Sequence, residues 1–422
     1  MRKRTNKDRQ MRLGIALIAL ALVLAGWQIF HGSGAGSPQV LLGALLQPQN
    51  QPLQIPPQSA VDTQILHGKA PTLNWIVGRD CQSGVQAYLK SAATNPDAAL
   101  VGSGWVDPTD GALVQGKSNN CVQGSLSMDS VVQLVHSKGG MAYLTITMLT
   151  DGSADSWTTQ QETNYVTQAA NNPGLIEPIV QEVKRLNYDG VIMDLEGTQA
   201  DAPSIQQLFA TYNQNVWAAL KPLHKKYGIA LLHKLSDHDE YYGLNGFENW
   251  QLLGNAADFI VIMALDQSYF TPGPAVSVLW LKQLLAYTLQ TMPQMLPHII
   301  WELPLYGAAW RMDNGNWTFN NGVTYQEAQT LIANLPPTQI NPDTSDLNDP
   351  TSAHLTYTDT NGVTRTVWYP TERNLVNIVT EFRKVLEQTP QFKGGQLAIA
   401  VWYTAQWAPS DLWSSLDPVL TS

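Results

Sequence analysis

Short apolar runs recur along the chain from residue 72 onward, and longer stretches of mixed polarity separate them. Segments such as 176–187 and 202–228 repeat apolar residues every three or four positions, which is typical of amphipathic helices. The short runs are rich in β-branched and aromatic residues and predict eight strands, at 72–77, 98–105, 141–148, 190–196, 228–233, 258–265, 298–304 and 396–403. Strands that alternate with helices predict a parallel sheet, and runs this continuously apolar are covered on both faces.

The number of strand–helix units predicts the architecture. Eight units within residues 71–420 indicate an α/β fold whose strands close into a (β/α)8 TIM barrel. A doubly wound open sheet is the alternative, but no G-x-G-x-x-G motif opens a helix after any of the predicted strands.

The stretch between the seventh and eighth predicted strands is much longer than the others, at about 90 residues. Within it, residues 354–369 predict a β-hairpin that turns at Asn361-Gly362. We therefore expect a small α+β insertion at about 311–375 on the active face of the barrel, followed by the last barrel helix.

The first thirty residues have the composition of a targeting segment. Six basic residues lie within the first twelve positions, and residues 13–27 are then apolar without a break. A spanning helix needs about 20 apolar residues and a secretory signal about 7–15, so an uncut signal-anchor over 13–30 and a cleaved signal peptide both fit. A buried helix of a cytosolic protein fits less well with the flanking basic charges.

Residues 31–70 are rich in Pro, Gln, Gly and Ser and predict a linker. Either targeting route exports residues 71–420, which we expect at the outer side of the membrane or secreted. In an exported chain, Cys81 and Cys121 are candidates for a disulfide, and two free thiols are the alternative.

The charge and residue composition of the chain limit the classes of partner that it is expected to bind. The net charge is −10, and without its basic first twelve residues the chain carries −15, so it should repel phosphate backbones. Charged residues make up only 14 % of the chain and tryptophans number fourteen, which suits a sugar or a protein partner. We expect no nucleic-acid partner, no cofactor and a monomer.

The fourth predicted strand ends in two carboxylates. Side chains on a strand alternate between its faces, so Gly190, Ile192, Asp194 and Glu196 share one face. In a barrel this face points inward, and Glu196 lies at the carboxyl-terminal mouth, where barrel active sites lie. Such a pair can divide roles, one carboxyl ionised and one protonated, although a salt-bridged pair or a metal-ligand set has the same pattern.

The segment "YDGVIMDLE" (188–196) resembles the D-G-x-D-x-D-x-E signature on the fourth strand of family 18 glycoside hydrolases, the chitinase-like barrels. Other segments are similar, in the same order, to the branch that holds spore-germination and cortex-lytic N-acetylglucosaminidases. They lie at 104–114, 256–280, 299–310 and 355–375. The resemblance covers about residues 71–416.

The resemblance implies substrate-assisted hydrolysis of a glycan with an N-acetyl group at the cleaved sugar, such as peptidoglycan or a chitin-like polymer. Glu196 would protonate the glycosidic oxygen and then deprotonate water, while Asp194 would orient the acetamido group. Asp266 matches the acid of the sixth-strand motif, and Trp402 matches the floor of the sugar site. Tyr306 can line the mouth or pack beneath it.

Several tryptophans lie at or just past strand ends, where they would either stack on sugars or fill the core: Trp75, Trp105, Trp310, Trp402 and Trp407. The cluster His238, Asp239 and Glu240 could suggest a metal. Consecutive residues splay apart, however, and ligand sets normally need spacing, so we expect a solvated loop and no metal.

The chain departs from the family pattern at three positions. Ile192 replaces the middle acid of the fourth-strand signature, Leu265 replaces a tyrosine, and Glu302 replaces a glycine. Three hypotheses therefore remain. The first is an exported glycosidase with weakened activity, the second a catalytically impaired glycan-binding protein at the cell surface, and the third a structural envelope protein.

Overall fold

The computed structural model describes residues 65–77, 81–107, 109–115, 127–148, 157–237, 245–336, 353–402 and 412–421. Its strands are Thr72–Val77 (β1), Ala98–Val106 (β2), Leu113–Gln115 (β3), Ala142–Met148 (β4), Gly190–Met193 (β5), Lys226–Leu232 (β6), Phe259–Met263 (β7), Ile299–Pro304 (β8), Tyr306–Asp313 (β9), Asn316–Thr324 (β10), Ala353–Thr358 (β11), Thr364–Tyr369 (β12) and Ala398–Trp402 (β13). Its α-helices are Cys81–Ser91 (α1), Met128–Ser137 (α2), Thr159–Asn171 (α3), Glu177–Leu186 (α4), Pro203–Leu220 (α5), Trp250–Leu253 (α6), Val278–Thr291 (α7), Tyr325–Asn334 (α8), Glu372–Glu387 (α9) and Leu412–Thr421 (α10).

Eight parallel strands in the described part of the chain form a closed barrel. Their order is β1-β13-β8-β7-β6-β5-β4-β2, and a parallel pairing of β1 with β2 closes the ring. The short strand β3 adds an antiparallel edge to β2. The predicted (β/α)8 barrel is therefore confirmed, and the open sheet is excluded.

Side chains of the barrel strands divide between two apolar cores, as strand alternation requires. Ile192 belongs to the cluster inside the barrel, whereas Val191 and Met193 pack in the larger cluster between the strands and the helices. The predicted inward face of the fourth strand is thus the face that points into the barrel.

The helices begin where the sequence places side chains that cap them. Thr158 accepts the backbone N–H of Gln161 at the start of α3, and the Gln161 side chain accepts the N–H of Thr158 in return. The same reciprocal cap, made by Ser127 and Ser130, starts α2. Each cap satisfies two backbone donors that the first helical turn leaves unpaired.

Buried acids fix the amino-terminal end of the barrel. Asp97 accepts the backbone N–H groups of Met141, His67 and Gly68, and so joins the start of β4 to the segment that precedes β1. Tyr143 donates its hydroxyl to the carbonyl of Ile65, 2.9 Å away. The segment before β1 therefore covers the base of the barrel, opposite the mouth.

The insertion between β8 and β13 is a four-stranded antiparallel sheet in the order β10-β9-β12-β11, with α8 packed on it. Strand β9 begins at Tyr306, two residues after β8 ends, so the insertion starts earlier than the predicted residue 311. The hairpin of β11 and β12 turns through Gly362, whose φ of 79° favours glycine.

Several predictions fall on residues outside the described ranges, namely the membrane segment 13–30, the linker up to residue 64, Cys121 and His238–Glu240. Within the part of the chain that is described, no helix is both long and apolar enough to cross a membrane.

Candidate active site

Asp194 and Glu196 follow directly on β5, at the carboxyl-terminal mouth of the barrel. The backbone N–H of Asp194 donates to the carbonyl of Ile146 on β4, 2.8 Å away, so the ladder holds Asp194 in place after the strand has formally ended. Gly197 then turns the chain with a φ of 78°, which a residue with a side chain rarely adopts. The two carboxylates are thus held at the rim by a strand on one side and a tight turn on the other.

A buried glutamate on α3 holds the loop that follows Glu196. The Glu162 carboxylate accepts the backbone N–H of Gln199 and that of Ala200, the latter at 2.7 Å. Burial raises the pKa of Glu162, while these two backbone donors lower it. Glu162 therefore fixes the backbone just beyond Glu196.

The carboxyls of Asp194 and Glu196 are hydrogen-bonded to each other. Asp194 is only 7 % exposed, and burial, followed by the charges of Glu196 and Glu248, raises its pKa well above the usual value. Burial, followed by the charge of Asp266, raises the pKa of Glu196 to about 7. The two carboxyls therefore titrate as a coupled pair, and burial favours a bound proton on the pair.

Glu196 differs from Asp194 in its access to water. Protein surrounds the Glu196 carboxyl on the floor of the mouth, yet its side chain remains exposed toward the opening. Solvent at the mouth weakens the effect of burial, so the pKa of Glu196 rises less than full enclosure would cause. An acid at the mouth with a raised pKa can both give and take a proton near neutral pH.

Asp266 and Tyr306 lie together beside this pair. The Tyr306 hydroxyl donates to Asp266 Oδ1 at 2.6 Å, and Asp266 adopts a left-handed backbone with a φ of 59°. Burial raises the pKa of Asp266, and the Tyr306 hydrogen bond lowers it. The structure therefore brings Asp194, Glu196, Asp266 and Tyr306 into one site.

Two further charged residues join the site, and the sequence reasoning missed them. Lys234 is 4 % exposed, and its Nζ donates to the backbone carbonyl of Glu248 at 2.5 Å. Burial raises the pKa of Glu248 to about 8, and the charge of Lys234 opposes that shift. Strand parity could have found Lys234, because it follows the inward residues Ala230 and Leu232 by even steps. Glu248 lies in a loop and offered no such pattern.

A third charged residue that the sequence did not assign to the site lies inside the barrel. Glu302 on β8 is 1 % exposed and follows Ile300, which belongs to the inner core, by two residues. Burial, followed by the charges of Asp194 and Glu196, raises the pKa of Glu302 well above its usual value. The residue noted from the sequence as a departure is therefore electrostatically part of the site.

The tryptophans divide between the mouth and the core. Trp402 is half-buried at the end of β13 and contacts the edge of Trp75, with ring centroids 5.9 Å apart. Trp75 is 1 % exposed, so it packs beneath Trp402 and its ring is not open to a stacked sugar. Trp105 is half-buried near the end of β2, next to Thr147 in register. Trp310 is buried, and Trp407 lies outside the described residues.

Within the described ranges, no group of three or more His, Cys, Asp or Glu side chains has a geometry that could hold a metal ion. Among the acids at the mouth, Asp266 accepts a hydrogen bond from Tyr306, and the charge of Lys234 acts on Glu248.

The fold and this site can be compared with known proteins. No family model matches the chain, and no curated relative does. Solved structures do match. A chitinase from Chromobacterium violaceum superposes with a TM-score of 0.66 at 18 % identity, over 84 % of this chain and 99 % of that one.

Two other solved structures give the same result. The Bacillus cereus spore cortex-lytic enzyme SleL matches with a TM-score of 0.63 at 19 % identity, over 82 % of this chain and 74 % of that one. A class V chitinase from Pseudomonas fluorescens matches with a TM-score of 0.59 at 18 % identity, over 83 % and 100 % of the two chains. The chain has a chitinase-like barrel. The resemblance inferred from the sequence is confirmed at the level of the fold.

Proposed function

We propose that the protein is a glycosidase that cleaves β-linked glycan containing N-acetylglucosamine, with the acetamido group of the substrate as the nucleophile. The observation that carries this proposal is the placement of Asp194 and Glu196 together at the mouth of the barrel, just beyond β5, where burial raises the pKa of both carboxyls. The chitinase-like fold supports the same reaction class by analogy.

In the first step, Glu196 donates its proton to the glycosidic oxygen as the bond to the anomeric carbon breaks. The acetamido oxygen bonds to that carbon from the opposite side and forms an oxazolinium ion, while ionised Asp194 orients and stabilises the acetamido N–H. In the second step, Glu196 takes a proton from water, which attacks the same carbon and reopens the ring. Two displacements leave the anomeric configuration unchanged.

The other site residues have supporting roles in this proposal. Asp266, oriented by Tyr306, contacts the cleaved sugar and raises the pKa of Glu196 through its charge. Trp402 offers an aromatic floor to the sugar, and Trp75 holds it from below. Trp105 extends the aromatic lining along the mouth.

The glycan in this proposal is peptidoglycan or a chitin-like polymer, met outside the cell. Export rests on the apolar segment at 13–30, which would leave the enzyme anchored or secreted. The described part of the chain begins at the base of the barrel, opposite the mouth.

A glycan-binding protein without turnover is the second candidate function, and two observations favour it. Ile192 lies in the apolar inner core where the family signature has an acid, and Leu265 occupies the place of a tyrosine hydroxyl. Losing one oriented donor can cost about 10²–10³ in rate.

One experiment separates the two functions. Purified protein is incubated with N-acetylglucosamine oligomers and with peptidoglycan, and the products and their anomeric configuration are followed by NMR. Cleavage with retained configuration supports the hydrolase, and binding without cleavage supports the second candidate. An inverted product, or full activity on a glycan without N-acetyl groups, would exclude the substrate-assisted mechanism.

A further inference from the structure

Glu302 lies where a charged carboxylate is least expected. Its register partners on the neighbouring strands are Met263 and Ala400, both apolar, and the side chain points into the barrel. Its Oε2 is buried, and no group in the described part of the chain donates a hydrogen bond to it. A buried carboxylate oxygen without a donor makes the charged form costly, so the favoured form is the neutral acid.

The charges around Glu302 act in the same direction. Asp194 and Glu196, just beyond the end of β5, lie near enough for their charges to raise its pKa. Asp266, beyond β7, adds its charge to Glu196, and Glu248, beyond β6, adds its charge to Asp194. Lys234 is a cation at this end of the barrel. Its Nζ donates to the Glu248 backbone carbonyl, and its charge acts on the Glu248 carboxyl.

Asp194 has a buried carboxylate oxygen that could accept such a hydrogen bond. Its Oδ1 is buried, and it too lacks a donor among the described residues. Ile192, two residues earlier on the same inward face, is apolar and donates nothing. When Asp194 carries the charge that the proposed reaction requires, its inner oxygen must be stabilised by some other group.

We propose that Glu302 is a positioning residue for this reaction: as a neutral acid it donates its O–H, directly or through one bridging water, to the inner oxygen of ionised Asp194. It thereby supplies from β8 the polar partner that Ile192 does not supply from β5. Glu302 transfers no proton in this role and touches no substrate atom. The inference rests on the proposed hydrolase function and deepens it.

Two substitutions at the same position separate donation from mere packing. Glu302→Gln keeps a neutral donor of nearly the same shape, and Glu302→Leu removes the donor. We expect Glu302→Gln to keep kcat within about threefold, and Glu302→Leu to lower kcat about 10- to 100-fold with little change in KM. Equal kcat values for the two variants would overturn the proposal.

The pH profile gives a readout that packing alone would not move. In the proposed reaction Asp194 must be ionised, so its pKa sets the acid limb of kcat, whereas loss of the Glu196 proton sets the alkaline limb. Glu302→Leu removes the donor that stabilises ionised Asp194 and should move the acid limb to higher pH, while Glu302→Gln keeps a donor and should leave that limb in place. Glu182→Gln, at a buried glutamate on α4 outside the barrel, is the control and should also leave the limb in place. An acid limb that is the same in Glu302→Leu as in the wild type would contradict the role.

A final pair of measurements needs no turnover, so it separates failure of this inference from failure of the hydrolase function. If Glu302 is neutral in the folded protein, it loses that proton as the pH rises, so the wild-type Tm should fall more steeply between pH 5 and 8 than the Tm of Glu302→Gln. Parallel curves would overturn the proposal.

A thiazoline mimic of the oxazolinium ion, titrated by calorimetry, should bind to Glu302→Gln as to the wild type and about tenfold or more weakly to Glu302→Leu. Equal binding to both variants would refute the role even if the wild type cleaves glycan.

Discussion

At the scale of single residues, the site depends on how Asp194 and Glu196 divide one proton. Asp194 is enclosed and interacts with the charges of Glu196, Glu248 and Glu302, whereas Glu196 is open to the mouth. Water can therefore stabilise charge on Glu196 more easily than on Asp194 in the empty site. A bound sugar would displace that water and favour a protonated Glu196, which is the form that the first step uses.

Glu196→Gln tests the role of Glu196 as the acid and base of the proposed reaction. Glutamine keeps the shape of the side chain but cannot give up or take a proton, so kcat should fall by about 10²–10⁴. The dissociation constant for N-acetylglucosamine oligomers, measured by calorimetry, should change only a few-fold. Glu387→Gln, at the exposed end of α9, is the control and should behave as the wild type. A variant that retained more than a tenth of the wild-type kcat would show that Glu196 is not the acid.

Leu265→Tyr tests whether the missing tyrosine hydroxyl at this position lowers the rate of an otherwise active site. Leu265 precedes Asp266 and packs partly buried against the inner core, so a tyrosine there could bring a hydroxyl to the acetamido group. We expect kcat on chitin oligomers to rise about tenfold or more. Leu265→Phe adds the ring without the hydroxyl and should give no gain; a gain in both variants would point to packing instead.

Sequence reasoning found the residues that match the family motifs, and it did not assign Lys234, Glu248 or Glu302 to the site. Strand parity placed Asp194 and Glu196 on the inward face, and it applies equally to Lys234 and Glu302. Glu248 reaches the site from a loop before α6, and no periodicity describes a loop. The sequence left open whether Trp75 stacks on a sugar or fills the core, because alternation along a strand does not show burial depth; the structure places it in the inner core.

At the scale of elements, buried strands were the most predictable. Barrel strands covered on both faces are apolar along their whole length, and the predicted runs differ from the observed bounds by at most three residues. The largest difference is at β5, which ends at Met193 because the two carboxylates leave the ladder. The start of the insertion was harder to place, since β9 follows β8 with one intervening residue and no polar break marks the change of sheet.

The contact between α3 and the loop after β5 holds the backbone of that loop in place. Glu162→Gln would point an amide N–H₂ at one of the two backbone donors, of Gln199 and Ala200, that the carboxylate now accepts. We expect the free energy of unfolding to fall by about 2 kcal/mol and kcat to fall with it, because the backbone beyond Glu196 loses its support. Denaturant unfolding and steady-state kinetics measure the two effects. Glu177→Gln, at the exposed start of α4, should change neither, and an unaffected Glu162→Gln would remove this role.

At the scale of the whole molecule, the disulfide between Cys81 and Cys121 is a prediction from the sequence. Cys81 is buried at the start of α1, and Cys121 lies outside the described residues. A disulfide between them would close a loop of about 40 residues and stabilise the fold by about 3–4 kcal/mol in the chain-entropy model. Cys81→Ser should therefore lower the Tm of the oxidised protein but not of the reduced one. Two free thiols titrated in the exported, unfolded protein would exclude the bond.

The dependence of stability on pH is set by the excess of buried acids at the mouth of the barrel. Burial raises the folded-state pKa of Glu196 from 4.5 to about 7 and that of Glu248 from 4.5 to about 8. A group whose pKa is higher in the folded state binds its proton more tightly there. Its contribution is therefore complete below the unfolded-state pKa and is lost as the pH rises through the folded-state pKa.

We therefore expect the Tm measured by scanning calorimetry to be highest near pH 4.5–5 and to fall as the pH rises toward 8. Glu196→Gln combined with Glu248→Gln should flatten that decline, because neither amide can lose a proton. Glu387→Gln should leave it unchanged, since that side chain is exposed at the surface. A wild-type Tm that rose between pH 5 and 8 would mean that the acids at the mouth ionise freely in the folded protein, and the proton sharing between Asp194 and Glu196 would then have to be abandoned.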